Sequence, residues 1–162
     1  MMQKSVNPSI WNNMNSSLLK NLKSGNLQIG TIMTLPAPEI AEILVNCGFD
    51  WLFIDLEHSV MDIKDLMRII QSVEAQIPCV VRVPALDEIW IKKVLDIGAS
   101  GVIIPQIQTA DEAEKAAVPL GIFGVDSKAV KTYINEGYSL IAVGLDTMIF
   151  QNAAGKIRKE FT

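Results

Sequence analysis

Cysteine occurs only twice in this chain, at positions 47 and 79. Two thiols, one inside a helical pattern and one inside a strand pattern, are too few for a disulfide framework. They read as buried thiols in a reducing compartment. Basic residues are also sparse: 14 Lys and Arg stand against 18 Asp and Glu, for a formal charge of −4. Their only cluster, Lys156, Arg158 and Lys159, reads as the solvated last turn of a helix, so no nucleic-acid partner is expected. No apolar run reaches the length of a bilayer span, and the opening MMQKSVNPSIWNNMNSS holds no signal-peptide core. A cytoplasmic protein with no membrane partner is expected. The phosphate-cradling patterns G-x-G-x-x-G and G-x-x-x-x-G-K-[ST] are missing, as are G-x-S-x-G and any strand-end Lys placed for a Schiff base.

What the chain does have is alternation. Hydrophobic residues make up 49% of its 162 positions, enough for one core. After a polar arm over 1–15, a short helix is predicted from Ser16 or Ser17, with Leu18, Leu19 and Leu22 on one face and Gly25 as its stop. A strand over 28–35 and a helix over 38–46 follow, and the unit repeats: strand 51–56 (WLFIDL), then a helix capped by Asp62 and running to about Ala75. Strand 78–83 precedes a helix that Asp87 opens and Gly98 stops, and GVIIP over 101–105 is the fourth strand. Thr109 caps TADEAEKAA, VPLGIF reads as a strand, 127–136 as a helix stopped by Gly137, SLIAVGL as a strand, and the last helix starts near Thr147. Roughly six strand-helix units in one domain over 16–162 imply a parallel sheet covered by helices. The strand ends read Thr34-Leu35-Pro36, Asp55-Leu56-Glu57-His58, Arg82-Val83-Pro84 and Pro105-Gln106. Polar groups from several strands at one rim suit a barrel mouth better than a single crevice.

Three residues at or near these ends are candidates for chemistry. His58, the only histidine, follows Asp55 and Glu57, carboxylates that could orient an imidazole and raise its basicity; otherwise it is a surface loop residue. Arg82 ends CVVRVP, where a permanently charged fork needs an anionic partner: either a ligand, or Asp55 or Glu57 in a purely structural pair. Asp96, in KKVLDIGA, sits where a helix carboxyl end disfavours negative charge. A general base, an anion-binding Arg and neighbouring carboxylates suit proton transfer on a carboxylate-bearing substrate.

The runs GTIMTLPAPEIAEILVNCGFDWLFIDLEHS, VRVPALDEIWIKKVLDIGASGVIIPQIQTADEAEKA and VPLGIFGVDSKAVKTYINEGYSLIAVGLDTMIF together resemble the HpcH/HpaI aldolase and citrate lyase family. The resemblance implies a (β/α) TIM-barrel fold and a class II pyruvate aldolase that cleaves a 4-hydroxy-2-oxo acid to pyruvate and an aldehyde with a divalent Mg, Mn or Co ion. It also implies a homo-oligomer. By the same resemblance His58 of D-x-E-H is the base, Arg82 binds substrate and steadies the pyruvate enolate, Asp96 of L-D-x-G enhances the basicity of His58, and Asp55 and Glu57 support them. The sequence departs from the family after the fourth strand. The V-x-Q-x-E and F-x-G-P-x-D-L-S strands, which carry the metal-ligating Glu and Asp, are absent, and TADEAEKA runs directly into AVPLGIF. A full barrel takes ~250 residues, so the chain is short by about two units, with an apparent junction near 116–118. Asp55, Glu57 and Asp126 are the substitute ligands to consider. Two other readings stand beside the aldolase: a non-catalytic remnant or assembly partner, and a citrate-lyase-beta-like enzyme acting on an acyl-CoA. The fourth strand is expected to pair directly with VPLGIF in a smaller or partly open sheet.

Overall fold

Period-two alternation along the strands divides the core into two parts. In the computed structural model, which describes residues 16–73, 76–105 and 121–161, six strands are resolved. They are β1 (Gln28–Met33), β2 (Trp51–Asp55), β3 (Cys79–Arg82), β4 (Gly101–Ile103), β5 (Gly121–Gly124) and β6 (Leu140–Leu145). All neighbours pair in parallel, in the order β4-β3-β2-β1-β6-β5, and the sheet curls into a half-barrel of shortened TIM-barrel type. Met33, Leu52, Ile54, Cys79 and Val81 point to the outer face, into the larger core. There they meet Ala41 and Leu44 of α2 (Pro38–Asn46), Leu66, Ile69 and Ile70 of α3 (Ile63–Val73), and Val94 of α4 (Glu88–Asp96). Ile32, Trp51, Phe53, Val80 and Ala142, from the alternate positions, line the inner face, where Leu18 and Leu22 of α1 (Ser16–Lys23) pack on them.

Helix boundaries follow local chemistry. Asp62 accepts from the N–H groups of Lys64 and Asp65, Asp87 from that of Ile89, and Asp126 from those of Lys128 and Ala129 at the start of α5 (Ser127–Asn135). Gly25, Gly48, Gly98 and Gly137 end the preceding helices with φ of +72°, +84°, +107° and +94°, the left-handed conformation that glycine adopts without a Cβ penalty. The last helix, α6 (Asp146–Lys159), starts one residue earlier than its sequence pattern suggests, and Asp146 is its only buried residue. Among the described residues no helix is long and apolar enough to cross a membrane.

Two expectations are corrected. β4 and β5 occupy opposite edges of the sheet, and among the described residues they do not pair. β6 pairs instead with β1, so the sheet joins its two sequence-distant parts and, among the described residues, stays open at the interruption. Cys47 is exposed, because it falls at the cap position after α2, past the buried stripe of that helix; Cys79, inside β3, is buried as expected. Burial pushes the Cys79 thiol up to about 12, which leaves it inert. The helix expected over TADEAEKAA, the junction near 116–118, the first three positions of VPLGIF and the arm over 1–15 lie outside the described residues.

Candidate active site

Asp55 and Arg82 are register partners at the carboxyl ends of β2 and β3, so strand pairing alone sets their side chains next to each other on the inner face. Arg82 donates through Nε to Asp55 Oδ1 at 2.9 Å and through Nη2 to Oδ2 at 2.6 Å, a two-pronged pair. Its Nε also lies 3.2 Å from Glu57 Oε2, and the guanidinium carbon stands 5.4 Å from the centroid of the Phe53 ring. A guanidinium carries five N–H donors. Among the described residues nothing bonds to Nη1, so the Nη1 side of the fork is available at the mouth, where the side chain is 24% exposed.

The β2–α3 loop is wound around Asp55. Oδ1 accepts from the N–H of Glu57 at 2.9 Å and of His58 at 3.2 Å, and the Ser59 hydroxyl donates to the Asp55 carbonyl. Burial alone would raise the Asp55 carboxyl; the Arg82 hydrogen bond, the two loop N–H groups and the guanidinium charge outweigh it and hold the group below the usual carboxylate range. The same hydrogen bond, against the opposing effect of burial, raises Arg82 above its ordinary value. His58 projects outward with 69% of its side chain exposed, its Nε2 3.6 Å from Glu57 Oε2. Asp55, Glu57, His58 and Arg82 therefore form one cluster.

Asp96 does not join it. It ends α4, five residues ahead of β4, while Val80 of β3 pairs with Gly101, so Asp96 lies at the amino end of the parallel sheet. It is exposed and, among the described residues, makes no hydrogen bond or ion pair.

One rim residue has no counterpart in the sequence reading. Asp146 is buried and takes four hydrogen bonds: from Thr34 N–H (2.7 Å), Leu35 N–H (2.8 Å), the Thr34 hydroxyl (2.8 Å) and Thr147 N–H (2.8 Å). Just before it, β6 carries one extra residue relative to β1, with Gly144 at φ +75° and its carbonyl accepting from the Thr31 hydroxyl. This bulge re-aims the end of β6 so that the carboxylate reaches the β1–α2 loop. The sequence signals available were the polar Thr34 at a strand end and a carboxylate opening the last helix.

The carboxylates at this rim suit a divalent cation poorly. Both Asp55 oxygens are engaged, Oδ2 by the Arg82 charge, both Asp146 oxygens take two donors each, Glu57 leans on Arg82, and Asp126 caps its own helix. No group of three or more His, Cys, Asp or Glu among the described residues could hold a metal ion.

Comparison with known proteins places this cluster in context. The sequence profile of the HpcH/HpaI aldolase/citrate lyase family matches residues 28–120. A 4-hydroxy-2-oxovalerate aldolase of Novosphingobium aromaticivorans is 41% identical over 95 residues, covering 57% of this chain and 36% of that protein. A 4-hydroxy-2-oxo-heptane-1,7-dioate aldolase of Salmonella paratyphi C is 39% identical over 121 residues, covering 70% and 46%. The chain thus spans less than half the length of these curated relatives. A solved structure of an HpcH/HpaI aldolase/citrate lyase family protein from Burkholderia cenocepacia J2315 superposes with a TM-score of 0.81 at 20% identity, over 91% of this chain and 99% of that one. At that identity the likeness speaks for the fold alone.

Proposed function

The chain belongs to the HpcH/HpaI aldolase/citrate lyase family, and from that premise we propose that its rim is a retro-aldol site for a 4-hydroxy-2-oxo acid, releasing pyruvate and an aldehyde. The observation that carries the reading is the pairing of Arg82 with Asp55, which fixes one edge of the guanidinium and, among the described residues, leaves Nη1 without a partner in the cluster that contains His58. In this reading the substrate carboxylate or its C2 oxygen rests on Nη1, and His58 takes the C4 hydroxyl proton. The C3–C4 bond breaks, its electron pair passes to C3 and the C2 oxygen as an enolate, and protonated His58 returns a proton to C3. Asp55 and Glu57 hold the fork and the imidazole in place. Asp96 enters only through the family resemblance, since it sits at the other end of the sheet in one chain. A divalent ion held against the substrate oxygens would supply Lewis-acid stabilisation of the enolate.

We further propose a homo-oligomer. Phe150, Ala154, Ile157 and Phe161 recur at helical spacing along α6 and just beyond it, and all four are exposed, which is an apolar stripe awaiting a partner. The same stripe, with the engaged rim carboxylates, favours a second reading as a non-catalytic assembly partner. Pyruvate release from a 4-hydroxy-2-oxo acid decides between them: turnover at least tenfold above a His58→Ala control supports the aldolase, and equal rates support the assembly partner. Comparison with a CoA thioester tests the acyl-CoA lyase alternative.

A further inference from the structure

We infer that the carboxylates at the carboxyl rim of this sheet anchor the fold and are not metal ligands, so that the divalent ion implied by the family has no seat among the described residues. The inference stands on donor geometry and does not depend on the aldolase reading. Two of the four rim carboxylates are buried, and every oxygen of both is engaged, by backbone N–H groups, the Thr34 hydroxyl or Arg82. Asp55 receives Glu57 N–H, His58 N–H and Arg82 Nε on Oδ1, with Nη2 on Oδ2. Asp146 receives the Thr34 hydroxyl and Thr147 N–H on Oδ1, and the Thr34 and Leu35 N–H groups on Oδ2. Taking either as a ligand would strip donors from a buried site, leaving backbone N–H groups or a guanidinium without an acceptor.

The oxygens that remain do not converge. Glu57 follows β2 and Asp126 follows β5, and β1 and β6 lie between those strands in the sheet. At a strand spacing of about 4.8 Å, three steps put roughly 14 Å between them as measured along the curled sheet. One Glu57 oxygen and the His58 ring, 3.6 Å from the other, offer a single carboxylate, one short of the Glu and Asp pair carried by the family's missing strands, and an imidazole suits Mg²⁺ and Mn²⁺ poorly. The guanidinium occupying the middle of the cluster adds a positive charge where a cation would have to sit.

The test is Mn²⁺ binding to the full chain, read by the loss of the free-ion electron paramagnetic resonance signal and by thermal melting. It uses wild type, Glu57→Gln and Asp126→Asn, two substitutions that spare the buried anchors. Expected is an unchanged free-ion signal and melting temperature up to about 1 mM Mn²⁺. Binding of equal strength in all three proteins is resolved by Asp55→Asn and Asp146→Asn: a tenfold loss in either, with the variant still folded by far-ultraviolet dichroism, overturns the inference, and no loss in either supports it. Binding in the wild type weakened tenfold or more by either substitution, with the melting temperature of the variant intact, overturns it. A parallel pyruvate titration keeps the two claims apart: pyruvate that fails to bind sinks the substrate reading and leaves the metal inference where the Mn²⁺ data put it.

Discussion

Arg82 and Asp55 form an ion pair whose carboxylate side is almost wholly buried, and removing one partner strands the other. Arg82→Ala is therefore expected to lower stability by about 3 kcal/mol, measured by urea denaturation. The pH dependence has a definite sign. Asp55 has a folded value below its ordinary 3.8, so its contribution is complete above about 4 and is lost as pH falls through the lower folded value. The stability difference between wild type and Asp55→Asn should be flat from neutral pH down to about 5 and shrink below about 4. Glu57 has the opposite relation to substrate. Two carboxylates face one guanidinium, and the Glu57 charge opposes an arriving carboxylate. Glu57→Gln is expected to tighten pyruvate binding by about fivefold, or roughly 1 kcal/mol, by calorimetric titration. Unchanged or weaker binding would count against Arg82 as the anion seat.

Elements report how much of this molecule the sequence spelled out. Strands β1 to β4, β6 and the helices between them were legible because continuous apolar runs, acidic caps at Asp62 and Asp87, and glycine stops act within a few residues of each other. The ion pair was legible as one of two options, since Asp55 and Arg82 end adjacent strands. The Asp146 clamp was not, because it depends on a bulge at Gly144 and on contact with a loop 112 residues away. Pairing of the edge strands was misjudged for the same reason: strand order is a tertiary outcome that periodicity does not encode. Asp146→Ala should cost about 2–3 kcal/mol in urea denaturation, because the Thr34 and Leu35 N–H groups lose their acceptor. Gly30 offers a second element-level test. A Cβ there would stand 2.6 Å from the Trp51 ring and carbonyl, so Gly30→Ala should lower stability by about 1–3 kcal/mol through displacement of β1 from β2.

At the scale of the whole molecule, the exposed stripe on α6 makes assembly the measurable property. Phe150→Asp with Ile157→Asp should shift the sedimentation coefficient toward that of a monomer while leaving far-ultraviolet dichroism unchanged, because neither side chain is buried in one chain. A monomeric wild type would remove the assembly proposal. The half-barrel also has one long-range joint, the pairing of β1 with β6 and the clamp from Asp146 to Thr34 and Leu35. During synthesis at about 5–20 residues per second, β1 leaves the ribosome well before that partner exists. For those seconds its free edge is open to chaperones or to a neighbouring nascent chain, and the rate of folding is set by a long-range search rather than by any local helix.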